Sequence, residues 1–259
     1  MEAQWLADIR RRLAAFSPAP DLATALQADL REAPVAFGRW LALRHTATYG
    51  LTAPSGRLQA GRWVEGWIAE LRRVAGTDWP HKEEAHFAYF HHLGQTVLYY
   101  LHDAGYAERA RRAPGRRVLA YTMFRPEAVR EESAGAVARS DEWCVDWPER
   151  DLADVLGWAV CALPPAEVAG WAERFVDGYR REAPLSPESG PFLYARMVFP
   201  SAWLSAAAEA PASKPEHIGR LERIARHEKK RTAGIARLRR AVFEPSGLTA
   251  PPIPWLERS

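Results

Sequence analysis

The chain has 259 residues, 47% of them hydrophobic and 26% charged, with a formal net charge of +3 and a pI near 9.0. These ordinary globular values allow one large domain or two small ones, and so mild a charge does not by itself demand a nucleic-acid or membrane partner. The two cysteines, Cys144 and Cys161, are too few for a disulfide framework, which makes a reducing compartment the expectation.

Trp5, Leu6, Ile9 and Leu13 recur at helical spacing opposite Arg10, Arg11 and Arg12, so the first segment reads as an amphipathic helix. It lacks the continuous apolar core and small-residue cleavage site of a secretory signal. No stretch reaches the roughly 20 apolar residues of a membrane span, and a soluble protein made in the cytoplasm is expected. Ser17-Pro18-Ala19-Pro20 breaks the chain, and Asp21 is placed to cap a short helix to about Arg31. Pro34 opens the next helix, with Phe37, Trp40, Leu41 and Leu43 on its face. A further helix over about 57–75 carries Trp63, Val64, Trp67, Ile68 and Leu71. Most of the eleven tryptophans should be buried or half-buried.

The stretch 83–102 is apolar on most sides and predicts a central helix. Four histidines fall within positions 81–92, and Glu84, His91 and His92 come into view as metal ligands. The i, i+4 pair of metal-binding helices is missing, so packed or solvated histidines are favoured. Val118 to Met123 and Glu142 to Asp146 read as two short strands. After the second, Pro148 fits the first turn of a helix that starts near Trp147 and buries Leu152, Val155, Leu156 and Ala159. Asp146 and Glu149 stand three residues apart across that helix start, the spacing of a capping box in which each side chain reaches the other's backbone amide. Next come a helix from Pro165 to about Arg180, with Gly170 and Gly178 as sites of close approach, and an apolar run from Phe192 to Leu204 holding Arg196. Arg196 calls for a carboxylate, and Asp151 is the candidate. Ser213-Lys214-Pro215-Glu216 predicts the start of a long helix to about Phe243. One face of that helix is basic, and Arg223, Lys229, Lys230 and Arg231 form a candidate surface for an acidic partner, RNA or an anionic membrane. No aromatic is interleaved among these charges, so a solvated face is preferred and nucleic acid is not.

The segment from Asp141 to Asp154 resembles the YutH-type spore coat proteins, kinase-like members of the aminoglycoside phosphotransferase and choline kinase clan. Their pattern there runs roughly Asp-Trp-Val-x-Asp-His-Pro-Ser-Arg-Asp-Leu-Ala-Glu. Asp146, Pro148, Arg150, Asp151, Leu152 and Ala153 match it, Trp147 and Glu149 replace the His and Ser, and Trp143 belongs to the same motif. His92-Leu93-Gly94-Gln95 with Tyr99 resembles the family's His-Leu-Gly-Gln/Glu helix. Tyr194, Ala195, Arg196, Phe199 and Pro200 fit its Tyr-Ala/Ser-Arg-Leu-Leu-Phe-Pro passage, with Ala202 and Trp203 in place of a His-Tyr pair. The passages Gly38 to His45 and Gly61 to Leu71 resemble it loosely. The tail Ile253-Pro254-Trp255-Leu256 fits its closing motif, with Trp255 expected to anchor the end.

The resemblance implies a mainly α fold, a protein-kinase-like helical C-lobe over 34–259 with a minor two-stranded element. Residues 1–33 would then be short helices that replace or remain from the N-lobe. In the clan, the strand-end acid holds magnesium, which gives Asp146 the position of a metal-site relic. Clan members also place His-Gly-Asp and then Asn after the first strand, where this chain reads Tyr121-Thr122-Met123-Phe124-Arg125-Pro126-Glu127. There is no Gly before Gly38 and no Lys before Lys82, so no phosphate loop or its lysine precedes the helical part. The expectation is therefore a non-catalytic, kinase-like protein with no catalytic residue, metal or cofactor. It would serve as a structural or scaffold component among other spore coat proteins, made in the mother cell and destined for the coat. Two alternatives stand beside it. One is an ATP- and magnesium-dependent small-molecule phosphotransferase with a rearranged site built on Asp146 and Glu127, and the other is a binding module that uses the basic helix.

Overall fold

In a computed structural model, residues 2–15, 20–77, 79, 84–112, 116–134, 140–209 and 215–256 are described. Apolar residues at three- and four-residue spacing generate helices throughout. They are α1 (Glu2–Ala15), α2 (Pro20–Ala28), α3 (Pro34–Ala47), α4 (Trp63–Ala75), α5 (Glu84–Asp103) and α6 (Tyr106–Arg112). After strand β1 (Val118–Tyr121) come α7 (Pro126–Ser133), strand β2 (Trp143–Asp146) and α8 (Glu149–Ala162). Then follow α9 (Val168–Glu182), α10 (Ser189–Val198), α11 (Ser201–Glu209) and α12 (Pro215–Leu238), which runs into a π-helical turn over Arg239–Phe243.

The fold is mainly helical with one two-stranded antiparallel sheet, as the sequence predicts. Its register pairs Val118 with Asp146 and Tyr121 with Trp143. Both strands are buried along their whole length, which suits runs as apolar as Val118-Leu119-Ala120 and Trp143-Cys144-Val145. Leu58 makes a single bridge to Val145 from the other side and a turn at Ala60–Gly61 follows, so the helix expected from 57 begins only at Trp63.

The core runs through the molecule, and α1, α2 and the turn after α2 contribute Trp5, Ile9, Leu22, Leu26 and Leu30 to it. Trp40, Trp143, Trp147, Trp171 and Trp203 are fully buried, and Trp255 is the one exposed tryptophan among the described residues. The tight α3–α9 contact depends on two glycines. A Cβ on Gly38 would lie 2.1 Å from the Phe175 carbonyl oxygen, and one on Gly178 would lie 2.3 Å from that of Val35. Gly178 is thus the close approach expected on α9, whereas Gly170 meets only its own Arg174 side chain, and Gly38 is the unforeseen partner.

Three further expectations change. The stretch 83–102 forms a helix from Glu84, but it buries a single face through Phe90, Leu93, Val97 and Leu101 while Tyr99 is 73% exposed. The run 192–204 is two helices, because Pro200 has no amide to continue the first. The tail is held by Ile253 and Leu256, with Trp255 lying edge-on to Tyr89 at the surface. The predicted cap Ser213 lies outside the described residues, although α12 does begin at Pro215.

Candidate functional site

Three acidic side chains of one short segment, Asp146 at the end of β2 and Glu149 and Asp151 in the first turn of α8, converge on the sheet and its neighbours. All three are buried. Burial of an unpaired carboxylate is prohibitive, so the partners of each decide what it can do.

Asp151 is enclosed completely. One oxygen accepts the Tyr121 backbone N–H at 2.9 Å. The other accepts from His45 Nε2 at 3.1 Å and lies 3.5 Å from a nitrogen of Arg44. Since Nε2 faces a carboxylate, the neutral imidazole carries its proton there and Nδ1 accepts the Tyr179 hydroxyl at 2.9 Å. Burial holds the His45 pKa below its ordinary value despite the opposing pull of Asp151. Arg44, also fully buried, donates to Glu132 at 2.8 Å and to the Leu119 carbonyl at 2.6 Å, and lies 4.3 Å from the Tyr121 ring centroid. Burial opposes its charge, but Glu132 and Asp151 outweigh that and raise its pKa. Glu132 also accepts the indole N–H of Trp143 at 3.2 Å, which ties α3, α7, β1, β2 and α8 into one buried polar cluster.

Asp146 is equally enclosed. It accepts from the Trp63 indole at 2.8 Å, from the Trp147 backbone N–H at 2.8 Å and from Arg150 at 3.0 Å. Arg150 also donates to the carbonyls of Tyr121 at 2.7 Å and Thr122 at 2.6 Å. Burial raises the Asp146 pKa, against the pull of Arg150 and Arg196. The capping box is not formed. Pro148, which has no side-chain acceptor, occupies the cap position, and Trp63, the Trp147 amide and Arg150 take the Asp146 carboxylate.

Glu149, expected to reach back to Asp146, turns the other way. Its Oε1 accepts from Arg109 at 2.5 Å and from the Ser189 hydroxyl at 2.5 Å, at the floor of a cleft. Arg196 pairs in a two-pronged way with Asp154, at 3.0 and 3.3 Å, rather than with Asp151. Asp154 lies three residues along the same face of α8, outside the sheet that encloses Asp151, and so presents itself to α10.

The remaining candidates are dispersed. Glu127 is exposed on α7, which follows the Tyr121 end of β1, whereas the register sets Asp146 opposite Val118. His91 stacks on Phe87 with ring centroids 5.2 Å apart, His92 is exposed, and no group of three metal-ligating side chains occurs among the described residues. On α12, Arg223 and Lys230 are exposed and Lys229 sits 5.2 Å from the Tyr89 ring, an aromatic that was not foreseen. Arg231 departs from the expected basic face. It pairs with Glu228 at 2.9 Å and donates to the Met197 carbonyl, closing the end of α10. Both cysteines are free, Cys144 buried and Cys161 exposed. No helix of the described residues is long and apolar enough to cross a membrane.

Sequence reasoning missed Arg44, His45 and Arg109. The only signal was chemical: a buried Asp151 requires positive or donating partners, but nothing in the spacing says from which helix they come. Compared with known families, residues 22–235 match the model described as "Spore coat putative kinase YutH". The chain therefore belongs to the YutH spore coat family. No curated protein matches it.

Proposed function

From membership of this spore coat family, we propose that the chain is a non-catalytic, kinase-like scaffold of spore coat formation, acting through other coat proteins and without nucleotide chemistry. The observation that carries this reading is the state of the carboxylates in the family segment. Asp146 has both oxygens engaged by Trp63, Trp147 and Arg150, and Asp151 has both engaged by Tyr121, His45 and Arg44. Magnesium needs oxygen ligands at close range with near-octahedral geometry, and an acid already holding an arginine and an indole offers it poor terms. Phosphoryl transfer further relies on a positioned carboxylate for the attacking hydroxyl. The stretch after β1, Thr122 to Arg125, has none. What remains of the segment is a rigid cluster that fixes α8 to the sheet, which suits a protein whose product is a surface.

The test has two arms. A fluorescent fusion produced in sporulating cells should localise to the forming coat, and deletion of the protein should alter the set of extractable coat proteins. The purified protein should show no saturable rise in melting temperature with magnesium-ATP. Coat proteins unchanged by the deletion would end the scaffold reading. A saturable ATP-dependent rise abolished by Asp146→Asn would replace it with a phosphotransferase.

A further inference from the structure

A cleft opens over Glu149 and reaches the His45–Tyr179 edge of the buried cluster. Two adjoining hollows of about 610 and 620 Å³ share Tyr49, Arg109 and Arg116. The first reaches Glu149, Ser189, His45 and Tyr179, and the second opens past Arg112 and Phe192. Such volumes suit small molecules.

Arg109 is the built part of this cleft. Its side chain is 10% exposed, and its guanidinium lies 4.3 Å from the Phe192 ring centroid and 5.0 Å from that of Trp147. Packed against these rings, it gives one terminal nitrogen to Glu149 at 2.5 Å. Its Nε and its other terminal nitrogen are buried and have no acceptor. On the opposing side, Glu149 spends Oε1 twice, on Arg109 and Ser189, and leaves Oε2 buried without a donor. A buried polar group without a partner is destabilising, and more so when charged. Arg109 and Glu149, both lining the cleft, thus carry two unmet donors and one unmet acceptor just beneath its surface. Arg116 adds an exposed positive charge at the rim, whereas Arg112 there is already paired with Glu108.

We infer that this cleft binds a small anion, a phosphate monoester or a carboxylate, that carries a hydroxyl or ammonium group beside its charge. The anionic oxygens take the free donors of Arg109 and the charge of Arg116, and the hydroxyl or ammonium donates to Oε2 of Glu149. A planar guanidinium suits such an anion better than a point charge does. A ligand here would report to the coat scaffold without chemistry, and the assignment stands whether or not the scaffold reading survives.

Titration calorimetry on the full chain with glycerol 3-phosphate, phosphoethanolamine, serine, inorganic phosphate and glycerol tests it. At least one bifunctional anion should bind saturably and more tightly than inorganic phosphate, and glycerol should not bind. Because replacing Arg109, or truncating Glu149, would leave the other unpaired, the exposed Arg116 is the first variant. Arg116→Ala should weaken binding about tenfold or more, the loss of one charge-assisted contact, with no change in melting temperature. The NMR signal of the Arg109 Nε–H should shift as the ligand saturates. Absence of binding by every probe, inorganic phosphate binding as tightly as the bifunctional anions, or binding indifferent to Arg116→Ala with an unmoved Arg109 signal would each overturn the assignment.

Discussion

Asp151 and Glu149 sit two residues apart in the first turn of α8, both buried, and their surroundings could hardly differ more. Asp151 faces the sheet and α3, where every oxygen has a donor and the nearest charges are themselves fully buried. Glu149 bonds directly to α6 and α10 beside a cleft, and one of its oxygens has no donor. Along a helix, two positions are about 200° of rotation apart, so neighbours in sequence address opposite walls. Whether such a carboxylate is sealed into the frame or held open to a ligand is decided by the wall it faces.

The sharpest way to break this comparison is to remove the sealed carboxylate. Asp151→Ala leaves Arg44 with one fewer buried counter-charge and strips His45 and the Tyr121 N–H of their acceptor. It should cost about 3–5 kcal/mol in denaturant unfolding, the range for breaking a buried ion pair. Glu149→Gln keeps an acceptor for both Arg109 and Ser189 and should cost only about 1 kcal/mol. If the two changes cost the same, the distinction between a sealed and an open side would fail.

A smaller effect tests the sealed side by pH. Burial lowers the His45 pKa from the ordinary value of 6.5, so the unfolded chain binds a proton that the folded protein refuses. The stability tied to neutral His45 is therefore complete above pH 6.5 and drains away as pH falls through the folded value. His45→Gln should lower stability at neutral pH by losing a hydrogen bond, yet flatten the decline on the acid side. An unchanged acid slope would mean that His45 titrates alike in the folded and unfolded chains, and a steeper one that Asp151 keeps it charged in the folded state.

The parts of this site that were legible in the sequence are those set by local pattern. The two strands, the start of α8 after Pro148 and the dense packing of tryptophans all follow from short-range spacing and residue type. Apart from the break at Pro200 and the late start of α4, the failures are long-range. Arg196, a charge in an apolar run, calls for a carboxylate and the sequence offers Asp151, but the rotation of α8 presents Asp154 instead. Arg231 reads as one of many surface cations until the end of α10 is brought beneath it. Gly38 carries no signal at all, since a helical glycine shows its purpose only when the Phe175 carbonyl arrives where its Cβ would be.

The smallest predicted effect concerns Asp146, where a local rule and the tertiary surroundings demand opposite signs. A carboxylate capping a helix start favours its charged form, which lowers its pKa, so its stability would be present above the unfolded value and lost as pH falls. In the folded protein Asp146 caps nothing. It is fully buried between Trp63, Trp147 and Arg150, and burial raises its pKa above the ordinary 3.8 more than Arg150 and Arg196 depress it. The folded state then keeps the proton to higher pH than the unfolded chain. The contribution of Asp146 to stability is complete below pH 3.8 and is lost as pH rises through the folded value. Asp146→Asn removes this titration while retaining an acceptor for the Trp63 indole. The stability of the wild type relative to Asp146→Asn should therefore be greatest in acid, shrink as pH rises and level off above the folded pKa. The same curve should appear with and without millimolar magnesium. Paired denaturant titrations from acid to neutral pH measure it directly: a gap that grows with pH would restore the helix cap, and one that grows only when magnesium is present would restore the metal site.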